Sequence, residues 1–225
     1  MSLAIIRVVA VIIFLYLTWR NLKVDYPAEK LISFGWLSLL GFFVFGRVGF
    51  GLLNWGSWVN WQDWLMVWQK PGMDYLIGTL GFVLVSFLFS KVNQFKFFAF
   101  LEDNLKNFLI FLFIIMIDEL IRSRFEIKIV GYLLVFLITY LIALWLFKRY
   151  RSFVWYKSGK KGFVLLFSSF LINLLTSGLL FWFKDGLALV ILSLIISLIS
   201  LVGLFILGEV FQPLVINKRR KNETE

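Results

Sequence analysis

The chain alternates long apolar runs with short polar breaks. Runs near 3–19, 31–53, 73–90, 105–121, 129–147, 162–183 and 187–207 are apolar on nearly every face. A helix needs roughly 20 mostly apolar residues to cross a bilayer, and each run approaches that length. Periodicity inside them says little, because no face is distinctly polar. The breaks are sharper. Arg20 to Lys30 is a polar turn containing Pro27, and Asn54 to Gly72 is Trp-rich and closes on Pro71-Gly72. Lys91 to Asn104 mixes charge with Phe and reads as interfacial. Asp118 to Lys128 is densely charged, Lys148 to Lys161 strongly basic, and Lys184 to Gly186 a tight turn. The pattern predicts an all-α membrane protein, a polytopic bundle of about seven transmembrane helices over 1–216 with a basic, polar tail over 217–225. No cleavage-site pattern follows the first run, so it is expected to be a retained span.

Composition strengthens this reading. With 61% hydrophobic and 16% charged residues, the chain is more apolar than a soluble domain. There is no Cys, which excludes disulfides, thiolate metal sites and Cys nucleophiles. There is no His either, which removes the commonest general base and metal ligand at neutral pH. Proton transfer would fall to Asp, Glu, Tyr, Lys or water, and no metal or cofactor is expected.

The formal charge of +10 sits in the breaks, so it speaks of topology and not of nucleic acid. With the N-terminus outside, the inner segments hold sixteen Lys and Arg residues and the outer segments five, leaving aside Arg7 and Arg47 within spans. The positive-inside rule then predicts N-terminus outside and C-terminus cytoplasmic. Arg122, Arg124 and Lys128 run against the rule and share their loop with Asp118, Glu119 and Glu126. Both a solvated connector and a headgroup or substrate site at the outer leaflet fit that loop. Trp58, Trp61, Trp64 and Trp68 have helical spacing, as an aromatic belt or a short interfacial helix would.

The candidate chemistry lies toward the predicted outer end. Arg47 sits in Gly46-Arg47-Val48-Gly49-Phe50, within an apolar span. A guanidinium there needs a partner or a wet cavity, and its planar fork suits phosphate. Gly46 and Gly49 permit close backbone approach. Arg7 lies about one turn into the first span and could join the same pocket or reach the interface by snorkelling. Asp74, just before Tyr75, can cap the third span. Asp118 and Glu119 close the fourth, so any of these three carboxylates could serve as a base or pair with Arg47.

These residues carry a resemblance. The order is a first span, a basic turn, Leu-Gly-Phe-Phe-Val-Phe-Gly-Arg-Val-Gly-Phe-Gly-Leu-Leu over 40–53, and a Trp-rich stretch. Val67-Trp68-Gln69-Lys70-Pro71-Gly72-Met73 follows, and then a span holding Gly78 and Gly81. This resembles prolipoprotein diacylglyceryl transferase, a seven-span bacterial inner-membrane enzyme, over roughly 1–118 and more weakly over 162–207. The resemblance implies transfer of a diacylglyceryl group from phosphatidylglycerol to a lipobox Cys, with a lipoprotein precursor as partner. It implies an anionic headgroup held by Arg47, Gly46 and Gly49, with Arg7, Arg122, Arg124 and Tyr75 as further binding candidates. The chain departs from the family pattern where the family's His would fall, near Leu76. It departs again near 115–124, which reads Ile-Met-Ile-Asp-Glu-Leu-Ile-Arg-Ser-Arg, and near Thr176, where an Arg would stand. A non-catalytic lipid-binding or partner-docking module is the alternative, and a small transporter a third. Oligomeric state is open.

Overall fold

The computed structural model describes residues 2–53, 73–150, 153, 161–183 and 187–208. Among them are seven α-helices and no strand: α1 (Ser2–Leu22), α2 (Ala28–Leu53), α3 (Tyr75–Val92), α4 (Phe97–Arg122), α5 (Ile127–Arg149), α6 (Phe163–Trp182) and α7 (Leu187–Leu207). Each predicted run overlaps one of them, and five of the helices extend past the predicted bounds. The Trp-rich stretch and the tail over 217–225 lie outside the described residues.

Six helices are long and apolar enough to cross a membrane; α4 is the exception. Two expectations change there. The segment expected to be interfacial, 91–104, is largely helix, because α4 starts at Phe97. The fourth span is also the most charged, carrying Glu102, Asp103, Lys106, Asp118, Glu119 and Arg122. Its place in the bundle explains this. Helix α4 packs against α1, α3, α5 and α6, and buried residues recur from Phe100 to Asp118. Lipid meets little of it, so neighbouring helices, not hydrocarbon, set which side chains it can carry. Its 26 residues are about 39 Å long at 1.5 Å per residue, enough to cross the bilayer core.

The helices run up and down. Arg7 of α1 meets Asp118 near the end of α4, whereas Thr18 of α1 meets Asn104 near its start. The same end therefore holds the start of α1, the end of α2, the start of α3 and the end of α4. The opposite end holds the start of α4 and of α6.

Packing rests on aromatics and glycines. Phe14, Phe34, Phe42, Phe82, Phe100 and Phe111 are fully buried. Phe82 stacks on Phe108 at 3.8 Å between centroids, and Phe34 meets Phe100 edge-on at 4.6 Å. Each such contact contributes about 0.5–1.5 kcal/mol beyond area burial. Lipid is as apolar as these rings, so close packing, not exclusion of water, supplies the drive. Glycines bring α2 and α3 together. A Cβ on Gly81 would lie 2.6 Å from the Gly41 carbonyl oxygen, and one on Gly78 would lie 2.9 Å from that of Phe42.

Rings and cations mark the opposite end. Lys23 lies over Trp19 at 4.1 Å, Lys106 over Phe147 at 4.8 Å and Arg149 over Trp145 at 5.5 Å. Such pairs suit the membrane–water boundary, where a ring stays in the headgroup zone and a cation reaches water.

Candidate functional site

At the Arg7 end, three helix termini, those of α1, α3 and α4, assemble a charged cluster. Asp118 is the centre, fully buried. Arg7 Nε donates to its Oδ2 at 2.6 Å, and Arg7 Nη2 lies 3.6 Å from Glu119 Oε2. Arg122, one helical turn beyond Asp118, places its Nε 3.0 Å from the same Oδ2. The angle there is not that of a hydrogen bond, so this is a charge contact. Tyr75 Oη donates to Glu119 Oε2 at 3.2 Å. Asp118 Oδ1 has no donor among the described residues. A buried carboxylate is tolerable only where cations compensate it, and here two guanidiniums do so.

The glycine element forms the flank of this cluster. The Gly46 carbonyl accepts from Asp74 N at 2.9 Å, and Asp74 caps α3 through its side chain, accepting from Ile77 N at 2.8 Å. A Cβ on Gly46 would sit 3.0 Å from the Asp74 carbonyl oxygen. Gly49 packs against Ile77. Arg47, between these glycines, is 8% exposed.

Of the candidates read from the sequence, the structure joins Arg7, Tyr75, Asp118, Glu119 and Arg122 directly. It joins Gly46 to Asp74 and sets Arg47 beside them in the chain. Asp74 acts as a helix cap. Arg124 stands apart: it is exposed, in the turn after α4, with φ 54.

A second polar cluster, at the opposite end, was not among the sequence candidates. Glu102 is buried, and its Oε2 accepts from Gly162 N at 2.7 Å, Val164 N at 2.8 Å and, more weakly, Leu165 N at 3.4 Å. A side chain of α4 thus caps the N-terminus of α6, where orphan N–H groups and the helix dipole favour an anion. Gly162 makes the approach possible: its φ is +121, and a Cβ there would meet Leu207 and Phe98. Next to it, Lys161 Nζ donates to both oxygens of Asp103, at 3.0 and 2.8 Å. That bond holds the Lys161 ammonium above its usual pKa. Tyr26 Oη donates to Asp103 at 3.4 Å. Burial first, then the Asp103 charge, push the Tyr26 phenol well above its usual range.

An amide ladder joins α1 to α4. Thr18 Oγ1 and Asn107 Nδ2 both donate to Asn104 Oδ1 at 3.0 Å, and Asn21 Nδ2 donates to Asn107 Oδ1 at 2.7 Å. Two signals in the sequence pointed here: the Asn104-x-x-Asn107 spacing and the Glu102-Asp103 pair at the head of an apolar run. Polar residues in a span face the bundle interior.

Between the clusters, Phe14, Phe82, Phe108 and Phe111 fill the interior.

No protein-family model matches the chain, and no curated protein matches it. The resemblance to the diacylglyceryl transferases rests on the quoted residues alone.

Proposed function

We propose that this multi-pass helical membrane protein binds a phospholipid by its headgroup phosphate at the Arg7 end of the bundle, without a covalent step. One observation carries the reading. Two guanidiniums converge on a single, fully buried carboxylate, yet Arg7 and Arg122 remain 33% and 27% exposed. Each guanidinium has five N–H donors, and one carboxylate oxygen cannot saturate both. Asp118 holds the two forks in place, and their remaining donors suit phosphate oxygens. On the loop charges this end faces outward. The Asp103 end then faces the cytoplasm, in a bacterial inner membrane on the resemblance to the diacylglyceryl transferases.

The test is lipid retention by the full chain in detergent, read by native mass spectrometry. Arg122→Gln should lower phospholipid occupancy about tenfold, the loss of one charge-assisted contact. Undiminished occupancy in both Arg7→Gln and Arg122→Gln overturns the reading.

A second reading is diacylglyceryl transfer from phosphatidylglycerol to a lipobox Cys of a lipoprotein precursor. It is favoured by the Tyr75–Glu119 pair, an acid–base couple beside the guanidiniums. Thiol attack needs such assistance, and the departing glycerol phosphate needs positive charge. Release of glycerol phosphate from phosphatidylglycerol and a lipobox peptide, abolished in Glu119→Gln, would establish this reading over simple binding.

A further inference from the structure

We infer that the lipid taken at the Arg7 end is zwitterionic: its phosphate lies on Arg7 and Arg122, and its primary ammonium on Glu119. The inference rests on the phosphate reading above and names the other half of the headgroup.

The first ground is charge balance. A site for a purely anionic headgroup needs a surplus of positive charge. Here Arg7 and Arg122 face Asp118 and Glu119 within the reach of one guanidinium, because Arg7 touches both carboxylates. The cluster as a whole is neutral. The following turn adds Arg124 and Lys128 against Glu126, one positive charge in excess, but the contacts among Arg7, Arg122, Asp118 and Glu119 do not include them. A phosphate that brings no cation of its own would leave the Glu119 carboxylate beside it unmatched.

The second ground is that the negative half is under-used. Glu119 is 34% exposed, and its contacts are the Tyr75 hydroxyl at 3.2 Å and Arg7 Nη2 at 3.6 Å. The second distance is too long for a hydrogen bond. Asp118, fully buried, keeps Oδ1 without a donor among the described residues. The partly exposed Glu119 carboxylate oxygens, short of donors and next to guanidiniums with donors to spare, are complementary to a ligand carrying both an ammonium and a phosphate. A primary ammonium brings three N–H donors for those oxygens. A trimethylammonium brings none, so a choline headgroup fits the charge and not the hydrogen bonds.

The experiment uses the full chain in detergent with equimolar phosphatidylethanolamine, phosphatidylcholine and phosphatidylglycerol, occupancy being read by native mass spectrometry. The expected order places phosphatidylethanolamine about tenfold above each of the others, the worth of one charge-assisted hydrogen bond at a partly exposed site. Glu119→Gln should erase that preference, bringing phosphatidylethanolamine down to the occupancy of the other two lipids. Tyr75→Phe should keep it, since the carboxylate remains. It also guards against a folding artefact, because it disturbs the same contact without touching the charge. Soluble phosphoethanolamine at the lipid's concentration should not displace the lipid. If it does, the site belongs to a free headgroup compound and the lipid assignment is wrong. Equal occupancy by all three lipids, or a preference for phosphatidylglycerol, overturns the ammonium site and leaves the phosphate reading standing. Occupancy unchanged in both Arg7→Gln and Arg122→Gln is instead the failure of the phosphate reading itself.

Discussion

Replacing Glu102 should unfasten one end of α6 before it unfolds the protein. The carboxylate accepts two short backbone hydrogen bonds, at 2.7 and 2.8 Å, and one long one at 3.4 Å. Hydrogen bonds to a charged group contribute about 1.5–3 kcal/mol each. Against this stands the cost of holding the carboxylate out of water, several kcal/mol for an ion with such partners. Truncation does not simply refund that cost, because Glu102→Ala leaves two buried N–H groups unsatisfied at about 1–3 kcal/mol each. The expected loss is about 3–5 kcal/mol, concentrated at the first turn of α6. Glu102→Gln keeps an acceptor oxygen but gives neutral bonds of roughly half the strength, so it should cost about 1–2 kcal/mol. Hydrogen–deuterium exchange followed by mass spectrometry reads this locally. A loss of about 3 kcal/mol in local opening free energy speeds exchange roughly a hundredfold. The peptide covering 162–166 should respond, whereas α2 and α3 should not. Unchanged protection at 162–166 in Glu102→Ala would refute the capping argument. So would a uniform loss of protection across the bundle, which would mean Glu102 supports the fold globally.

Two further outcomes follow from the packing and the pairs. The Lys161–Asp103 pair is 38% and 22% exposed, so Lys161→Met should lower stability by only about 0.5–1 kcal/mol. Because the folded state raises the Lys161 pKa, the contribution is complete below the ordinary Lys value near 10.5. It fades as pH rises through the raised value. Melting of the wild type should therefore lose that increment above about pH 10.5, and Lys161→Met should not, as scanning fluorimetry in detergent would record. Gly81→Val should cost more than Lys161→Met. The new side chain would press on the Gly41 carbonyl, backbone that cannot turn aside, and overpacking of this kind costs about 1–3 kcal/mol or more. Gly178→Val, where a Cβ meets nothing within 4 Å, is the matched control and should melt like the wild type.

The helices were legible because lipid imposes a simple rule: about 20 apolar residues in a row, broken by charge. The rule falters at α4, where Glu102 and Asp103 read as part of a break although they are helical. Hydropathy assumes that lipid is the neighbour, and α4 has other helices instead. Among the site residues, Asp118, Glu119, Arg7 and Tyr75 could be named because charges in or near a span are conspicuous. Their pairing could not, since it depends on which helix ends share a side. Arg124 looked equivalent to Arg122, two residues away. On a helix the difference decides everything: Arg122 falls one turn from Asp118, and Arg124 falls past the helix end. Glu102 stood out only through its place beside Asp103 at the head of an apolar run; its partners are the bare amides of 162, 164 and 165, which no side-chain pattern announces.

The enclosure of α4 sets an order on how the chain enters the membrane. A charged side chain at the centre of an inserting helix costs about 2.5–3.5 kcal/mol, and α4 carries six charged residues along its length. Alone it would partition poorly from the translocon into lipid. Helix α1 is made first, so Arg7 and the Thr18–Asn21 face are already waiting when Asp118 and the Asn104–Asn107 face emerge. The amides that satisfy Glu102 are synthesised some 60 residues later. Until α6 arrives, that carboxylate has no cap. Biogenesis should therefore pass through a late-closing intermediate, with α4 lodged against α1 and its Glu102 end still wet.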